Sequence, residues 1–288
     1  MISSEILKKA IIGGAESISR RTEQVNSINF FPVPDGDTGT NLALTLSDCA
    51  EKIKNLPPMS AGEFADAVAG SLSHCARGNS GVILSFIFNG FARSVEGLDA
   101  IDAADLAKGL DAGCNEAYAC AEKPAEGTML TVIRLAAAKA MSASAKGKNA
   151  RETFAEAVSA AKSSLRSTPN LLPVLKKHGC VDAGGQGLVH IMEGMLNQDS
   201  PAADIQFIYC TEFLINKIKN ADISAFRNHI SEFGNCTAAA EHSGIIKVHI
   251  HTNQPDRVLK TALEIGELTD IRIDNMKIQA ENGVNGWN

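Results

Sequence analysis

The feature that most constrains the fold is the helical spacing of apolar residues, which recurs through the first two thirds of the chain. Apolar side chains recur every three or four residues in eight predicted helices: 3–24, 40–54, 61–74, 80–94, 103–121, 128–145, 151–166 and 185–197. Before residue 198 no run alternates as a strand does. Eight amphipathic helices joined by short connections predict an all-α barrel or bundle of antiparallel neighbours.

The pattern changes after Pro201. The segments that follow have, in order, the spacing of a strand, a helix, two strands, a helix and a strand. This order predicts a small α+β domain of the ferredoxin-like type. We therefore expect a helical domain over residues 1–198 and a small α+β domain over residues 199–288.

Charge and cysteine usage limit the possible partners and the compartment. Lys and Arg number 27 against 33 Asp and Glu, which gives a net charge of −6, and no basic cluster stands out, so nucleic acid and anionic membranes are disfavoured. No apolar segment approaches the roughly 18 residues of a transmembrane helix. Seven cysteines without a framework spacing are typical of reduced thiols. We expect a soluble, cytoplasmic protein.

Four glycine-rich polar loops interrupt the helices, at residues 32–41, 76–81, 125–131 and 181–187. Each loop falls at the start of a predicted helix. Helix starts present free N–H groups and a partial positive charge, which favour phosphate oxygens. The alternative interpretation is that these residues only form turns and helix caps.

The first loop carries two acidic side chains, Asp35 and Asp37, on either side of Gly36. Two carboxylates at this spacing can converge on a hard cation such as Mg²⁺, which keeps substrate phosphates in its coordination shell. The next residues, 38–41, begin a helix and are placed to hold those phosphates. The alternative is an Asx turn in which Asp37 caps the helix.

Three other phosphate or cation motifs fit poorly. A haloacid dehalogenase-type phosphatase needs its two aspartates at the end of a central strand, but Pro32 and Pro34 occupy that place and cannot donate to a sheet. An EF-hand loop that starts at Asp35 would need Glu at its twelfth position, where this chain has Leu46. The sequence also contains no Walker-type loop.

Taken in order, the segments PVPDGDTGTN, ARGNSGVILS, EGTMLTV and VDAGGQGL resemble the nucleotide-binding domain of dihydroxyacetone kinases of the L-subunit type. The first segment, preceded by Phe31, is most like that of the ATP-binding subunits of bacterial fatty-acid kinases. The resemblance continues into the second domain through YCTEFLI, IKVHIHTNQP and GELTDIRIDNM. It implies a barrel of eight antiparallel helices that binds ATP and two Mg²⁺ ions at one end.

The resemblance also implies roles for individual residues. Asp35 and Asp37 would ligate Mg²⁺, and Asn29 would offer an amide oxygen because Phe30 replaces the third aspartate of the dihydroxyacetone kinases. The segment 127–129 would border the adenine. The full nucleotide pocket that the resemblance implies consists of Thr38, Gly39, Thr40, Asn41, Gly78, Asn79, Ser80, Gly81, Gly127, Thr128, Met129, Asp182 and Gly184.

A second candidate site lies in the α+β domain. Cys210 falls on its first predicted strand, while His249 and His251 stand two apart on a later strand and so share one face. One Cys and two His form a suitable Zn²⁺ ligand set, and Glu212 shares the face of Cys210. The alternative is a core cysteine beside two polar histidines. The resemblance favours zinc, because the middle domain of fatty-acid kinase subunits holds a metal through this Cys and His-x-His pair.

The function that the resemblance implies is that of an ATP- and Mg²⁺-dependent kinase subunit. It would phosphorylate the carboxylate of a fatty acid bound to a separate partner protein, giving acyl phosphate. Thr38 supports a carboxylate acceptor, because the dihydroxyacetone kinases have His there. Two alternatives are a phosphotransfer subunit of the dihydroxyacetone kinase type and a non-catalytic protein for nucleotide binding or assembly, since fatty-acid kinase subunits continue into a further C-terminal domain. Assembly as a homodimer stays open.

Overall fold

A computed structural model of the protein describes residues 1–121, 123–197, 207–217, 222–242 and 244–276. The chain divides into two compact units, Met1–Asp199 and Ser200–Asn288. The boundary predicted between residues 198 and 199 lies outside the described residues. No helix within the described ranges is both long enough and apolar enough to cross a membrane.

The first unit is a closed ring of helices. Its described residues form eight long helices, α1 (Ser4–Ser19), α3 (Thr38–Lys54), α4 (Ala61–Cys75), α5 (Gly78–Ser94), α6 (Ala103–Cys120), α7 (Met129–Ala145), α8 (Ala150–Leu171) and α10 (Ala183–Leu196), and two short ones, α2 (Thr22–Asn26) and α9 (Pro173–His178). Each long helix packs against the next one in sequence, and α10 packs against α1. The predicted antiparallel helical barrel is confirmed.

The interior of the barrel is apolar and contains a cavity of about 390 Å³. The cavity is lined mainly by the first turns of α1, α4, α6 and α8 and by the last turns of α5 and α10, as Phe64, Phe91 and Met195 illustrate. In an antiparallel ring these turns lie together at one end. Most of the lining therefore lies toward the end of the barrel opposite to the starts of α3, α5, α7 and α10, and the cavity also reaches Ile133 and Leu188 near the starts of α7 and α10.

Two helix ends differ from the prediction, and hydrogen bonds explain both. α8 continues through Pro169, which lacks an N–H for the carbonyl of Leu165; the Thr168 hydroxyl donates to that carbonyl instead, at 2.7 Å. The predicted helix 3–24 divides into α1 and α2. There the Ile18 carbonyl accepts from the Arg21 N–H at 3.0 Å, which makes a tighter turn than an α-helix.

The second unit is a four-stranded antiparallel sheet covered by two helices. Its described elements are β1 (Tyr209–Lys217), α11 (Ile223–Ile230), β2 (Gly234–His242), β3 (Ile245–Thr252), α12 (Pro255–Leu263) and β4 (Gly266–Asn275). The strands lie in the order β2-β3-β1-β4. Phe226 of α11 and Val258 of α12 share a buried apolar cluster with Phe213 and Val248 of the sheet. The predicted β-α-β-β-α-β order is confirmed.

The contact between α5 and α6 supplies a test of the packing. Gly113 of α6 lies so close to α5 that a Cβ atom there would overlap the carbonyl oxygen of Ile87. We expect Gly113→Ala to lower the free energy of unfolding by about 1–2 kcal/mol, because overpacking outweighs the gain in helix propensity. Urea unfolding followed by circular dichroism measures the change.

Gly70→Ala is the matched control, because Gly70 is also inside a helix but has no neighbouring atom within 4 Å of the added Cβ. Here only the helix propensity changes, so the free energy of unfolding should rise by about 0.5–1 kcal/mol. A shift of both variants in the same direction would contradict the close approach of α5 and α6.

Candidate functional site

The barrel brings all four glycine-rich loops to one end. We call residues 32–41 loop 1, 76–81 loop 2, 125–131 loop 3 and 181–187 loop 4; they precede α3, α5, α7 and α10 respectively. These are every second helix of the ring. Because neighbouring helices run in opposite directions, every second helix begins at the same end of the barrel. The four helix starts, with their free N–H groups, therefore lie together.

Direct contacts join the loops to one another. Gly78 of loop 2 has a positive φ of 58°, and its Cα faces the side chain of Asn41, which a Cβ atom would overlap. The position that a Cβ of Gly184 would occupy in loop 4 lies 3.3 Å from Cβ of Met129 and 3.6 Å from Oγ of Ser80. Loops 1 and 2, and loops 2, 3 and 4, therefore contact one another at this end of the barrel, and we call the space that adjoins all four loops the cleft.

The two carboxylates of loop 1 lie at the surface. Asp37 occupies the N-cap position of α3 but makes no side-chain hydrogen bond to the start of the helix. The helix-cap alternative for Asp37 is therefore not the geometry observed. Asp35 is also exposed, and its Oδ1 accepts a hydrogen bond from Nδ2 of Asn29 at 3.1 Å. Both carboxylates retain oxygen atoms that can bind a cation.

Asn29 fixes loop 1 through hydrogen bonds from the interior side of the loop. This residue is buried, and its Nδ2 also donates to the Val33 carbonyl at 2.6 Å. Its Oδ1 accepts a hydrogen bond from the buried hydroxyl of Thr38. Oδ1 of Asn29, the atom predicted from the sequence to bind Mg²⁺, thus uses one lone pair to accept from Thr38. Its second lone pair can bind a cation or accept another hydrogen bond.

Thr40 and Gly39 are fixed by the short helix α2. The Thr40 N–H donates to Oδ1 of Asn26 at 3.1 Å, and Nδ2 of Asn26 donates to the Thr40 hydroxyl at 2.9 Å. The Thr40 hydroxyl keeps its own hydrogen to donate. Gly39 lies against the Thr22 carbonyl, which leaves no room for a side chain. No pattern in the sequence singles out Asn26, because one Asn before a loop has no characteristic spacing.

Loop 2 is anchored to α3. The Arg77 N–H donates to the hydroxyl of Thr45 at 3.0 Å, and Gly81 packs against the same hydroxyl. The Arg77 guanidinium pairs with Asp48 at 2.8 Å on the surface. Asn79 is exposed in the first turn of α5. Thr45 was also missed by sequence analysis.

Loop 3 uses its side chains to begin α7. The Thr128 hydroxyl accepts from the Leu130 N–H at 3.3 Å and donates to the Ala125 carbonyl at 2.7 Å. Gly127 has a φ of 85°. The side chain of Met129 is buried. Of the segment predicted to border the adenine, Thr128 therefore serves as a helix cap and Met129 contributes to the core.

Loop 4 begins with a buried carboxylate. Asp182 is 4% exposed, and its Oδ2 accepts from the Gly185 N–H at 2.7 Å. Burial raises the pKa of Asp182 to about 6, and hydrogen bonds from the backbone of Gly185 and Met129 limit the rise. The Asp182 N–H donates to the Thr168 hydroxyl of α8 at 3.1 Å. Asp182 therefore connects loops 3 and 4 from below.

The second candidate site lies on the exposed face of the sheet in the second unit. The register of β1 and β3 places Cys210 opposite His251 and Glu212 opposite His249. One potential ligand atom from each of Cys210, His249 and His251 lies within 4.8 Å of the others. Glu212 Oε1 lies 2.7 Å from Nδ1 of His249. A thiolate and two imidazoles at this spacing suit Zn²⁺, with the carboxylate in a position to orient one imidazole.

Comparisons with known proteins agree with this architecture. Residues 32–197 match the family model of the DAK2 domain. The fold also matches the crystal structure of the dihydroxyacetone kinase from C. freundii in complex with AMP-PNP and Mg²⁺, with a TM-score of 0.51 and 20% sequence identity. That match covers 67% of this chain and 33% of the other chain, and it bears on the fold alone.

Two relatives are similar to this chain over nearly its whole length. An uncharacterized protein of Staphylococcus epidermidis is 37% identical over 96% of this chain, and the protein YloV of Bacillus subtilis is 36% identical over 93% of it. The matches cover 56% and 54% of these relatives, so the chain spans about half the length of the curated relatives it matches.

The second unit has a match of its own. Residues 206–283 match the family model of the FakA-like middle domain, which is described as that of a fatty acid kinase subunit. The DAK2 match covers more than half of the 288 residues and includes all four glycine-rich loops. The chain therefore belongs to the DAK2 domain family, and a segment that matches the FakA-like middle domain follows the helical barrel.

Proposed function

We propose that this chain is the ATP-binding subunit of a kinase that transfers the γ-phosphoryl group of ATP to a fatty-acid carboxylate. The observation that carries the proposal is the end of the barrel where four helix starts meet beside the exposed carboxylates of Asp35 and Asp37. Two findings from the comparisons support it: the nucleotide and Mg²⁺ named for the C. freundii kinase, and the fatty acid kinase named for the middle domain.

The cleft offers the donor set that Mg²⁺ and a triphosphate require. Asp35 and Asp37 would hold the metal, with the remaining lone pair of Asn29 nearby, since carboxylate and amide oxygens are ligands that Mg²⁺ accepts. Bound Mg²⁺ would neutralise charge on the phosphate oxygens. The residues proposed to bind the phosphates are Thr38, Gly39, Thr40, Asn41, Gly78, Asn79, Ser80 and Gly81. The backbone N–H groups of Thr40, Asn41 and Gly81 already donate within the protein, so these three residues would contribute through side chains or by close approach of the backbone, and the others through their N–H groups.

The chemistry of the cleft favours a carboxylate acceptor. In the proposed step a carboxylate oxygen attacks the γ-phosphorus, the bond to the bridging oxygen breaks and ADP leaves. A carboxyl group with a pKa of about 4 is already ionised near neutral pH, so no base has to remove a proton. A hydroxyl acceptor such as dihydroxyacetone would need a base. Thr38, which stands where those kinases have His, is buried and bonded to Asn29.

The location of the apolar cavity favours delivery of the fatty acid by a separate protein. Most residues that line the cavity lie toward the end of the barrel opposite to the loops, although Ile133 and Leu188, near the starts of α7 and α10, also line it. A helix of 17 residues such as α5 is about 25 Å long. An acyl chain bound among the residues at the opposite end would hold its carboxylate away from the loops. We therefore propose that a fatty-acid-binding partner protein presents the carboxylate at the loop end.

We further propose that Cys210, His249 and His251 bind Zn²⁺ in the second unit. The separation of their ligand atoms supports this assignment, and Glu212 is placed to fix the orientation of His249. The site lies on the sheet face opposite to the core cluster that contains Phe213 and Val248. Its proposed role is structural, because metal binding across β1 and β3 contributes folding free energy.

Acyl phosphate formation tests the kinase proposal directly. The protein, given ATP, Mg²⁺, a fatty acid and a candidate fatty-acid-binding protein, should yield acyl phosphate that hydroxylamine traps. Asp37→Asn should lower kcat/KM by at least about 100-fold, because metal stabilisation of the transition state contributes several kcal/mol. The fold should persist, since the carboxylate of Asp37 makes no capping hydrogen bond.

Asp66→Asn is the control, because Asp66 is an exposed aspartate on α4, outside the loops. Its activity should equal that of the unmodified protein. Phosphoryl transfer to dihydroxyacetone in place of the fatty acid would favour the dihydroxyacetone kinase alternative. Nucleotide binding without transfer to either acceptor would favour a non-catalytic assembly protein. Full activity of Asp37→Asn would remove the metal assignment.

The buried carboxyl of Asp182 predicts a pH dependence of stability. Its pKa is about 6 in the folded protein and 3.8 in the absence of burial, so its ionisation destabilises the fold above pH 6. Asp182→Asn removes this charge and keeps one oxygen acceptor for the backbone N–H groups of Gly185 and Met129. We expect the stability of the variant, relative to that of the unmodified protein, to be higher above pH 6 than below pH 4 by on the order of 2 kcal/mol.

The relative stability of Asp182→Asn should decrease as the pH falls from about 6 toward 3.8, because the unmodified carboxyl then takes up a proton on folding. Urea unfolding at a series of pH values measures the difference between the two proteins. A difference that does not vary with pH would show that Asp182 is not the titrating group.

Metal analysis tests the zinc proposal. The purified protein should contain about one zinc per chain, and Cys210→Ser should lower both the metal content and the melting temperature of the second unit. Cys120→Ser is the control, since Cys120 is an exposed free thiol on α6. If the unmodified protein contains no metal after purification without chelators, and takes up none from added zinc, the proposal fails.

A further inference from the structure

A ring of hydrogen bonds links loop 3 to the two helices on either side of it. The Tyr118 hydroxyl of α6 donates to Oε1 of Glu126 at 2.8 Å, and Arg134 of α7 donates to Oε2 of Glu126 at 2.6 Å and to the Tyr118 oxygen at 3.2 Å. Thr131 also donates to Oε2 of Glu126, at 2.8 Å. We call these four residues the loop 3 clamp.

The clamp reaches the backbone that borders the cleft. Oγ1 of Thr131, which is bonded to Glu126, accepts the Gly127 N–H at 2.7 Å. Gly127 has a positive φ, and the next residues cap and begin α7. The backbone of Met129 in turn donates toward Asp182 beneath loop 4. The carboxylate of Glu126 is therefore connected, through one side chain, to the turn that sets the direction of loop 3.

The clamp contributes little to global stability. The side chains of Arg134 and Glu126 are 45% and 49% exposed, and ion pairs at such exposure contribute about 0–1 kcal/mol. Burial alone would raise the pKa of Glu126, but hydrogen bonds from Arg134, Thr131 and Tyr118 outweigh it and hold this pKa below its usual value. The carboxylate is thus held ionised with hydrogen bonds to both oxygens, which fixes its orientation more than it stabilises the barrel.

We propose that Glu126 is a positioning residue for nucleotide binding, which acts by fixing the Gly127 turn through Thr131. The inference rests on the proposed function, because it assumes that loop 3 contacts ATP. Without Glu126, the turn keeps its sequence but loses the hydrogen bonds that select one conformation. Part of the binding free energy is then spent on ordering the loop. The expected consequence is weaker nucleotide binding and faster loop motion, with the barrel intact.

The test compares Glu126→Ala with Glu116→Ala. Glu116 is the matched control, because it pairs with Arg93 at 3.0 Å across α5 and α6, and among the described residues no hydrogen bond or ion pair joins it to a glycine-rich loop. Calorimetry with Mg²⁺ and AMP-PNP gives the dissociation constant of each protein. Hydrogen exchange of the Gly127 region without nucleotide reports the order of loop 3 independently.

We expect Glu126→Ala to weaken AMP-PNP binding about tenfold and to speed exchange in loop 3, because it removes charge-assisted hydrogen bonds. Tyr118→Phe removes two of the four bonds but only one of the three that Glu126 accepts, so it should weaken binding by a smaller factor, about threefold. KM for ATP should rise more than kcat falls. Glu116→Ala should bind nucleotide as the unmodified protein does, with a similar melting temperature.

The outcomes separate this inference from the proposed function. If the unmodified protein binds no nucleotide, the proposed function fails and the role of Glu126 fails with it. If it binds nucleotide and both Glu126→Ala and Tyr118→Phe bind equally well, only the positioning role is overturned. Equal weakening in Glu126→Ala and Glu116→Ala would also overturn it, since a general loss of surface ion pairs would then explain the effect.

Discussion

The alternation of helix direction around a closed ring is the constraint on which the site depends. A chain that passes up and down a barrel begins every second helix at the same end. In this protein those helices, α3, α5, α7 and α10, are the four that follow glycine-rich loops. Free N–H groups and positive helix ends gather there without any single loop having to enclose a ligand. The barrel therefore creates an end whose charge suits an anion, and under the proposed function the loops adapt it to ATP.

Small polar side chains next to the glycine-rich loops hold the loops in one conformation through hydrogen bonds. Asn26, Thr45 and Thr168 bond to loop backbone from neighbouring helices, and Asn29 does so from the segment that follows α2. Each such bond satisfies a polar group that would otherwise be left without a partner. The loops can therefore remain rich in glycine, with backbone open to the cleft, and still hold one conformation.

The sequence predicted the elements well but could not predict how they meet. Periodicity located the eight helices, and glycines located the loops at their starts, because both signals are local. The ring contact between α10 and α1 is long-range, so the convergence of Asn41 with Gly78 and of Ser80 with Gly184 was visible only in the fold. Asn26 was missed for a related reason. One polar residue on a short helix carries no period, and its role depends on a partner fourteen positions away.

Three aspartates near the cleft differ in solvent exposure, and this difference suits them to different roles. Asp35 and Asp37 are solvated, so their charge carries no burial cost and their oxygens can exchange water for a cation. Asp182 is buried beneath loop 4, where its charge is costly and its oxygens accept backbone N–H groups. A metal there would compete with the bonds that join loops 3 and 4. Asp182 is thus suited to shaping the pocket, and the exposed pair in loop 1 to binding the metal.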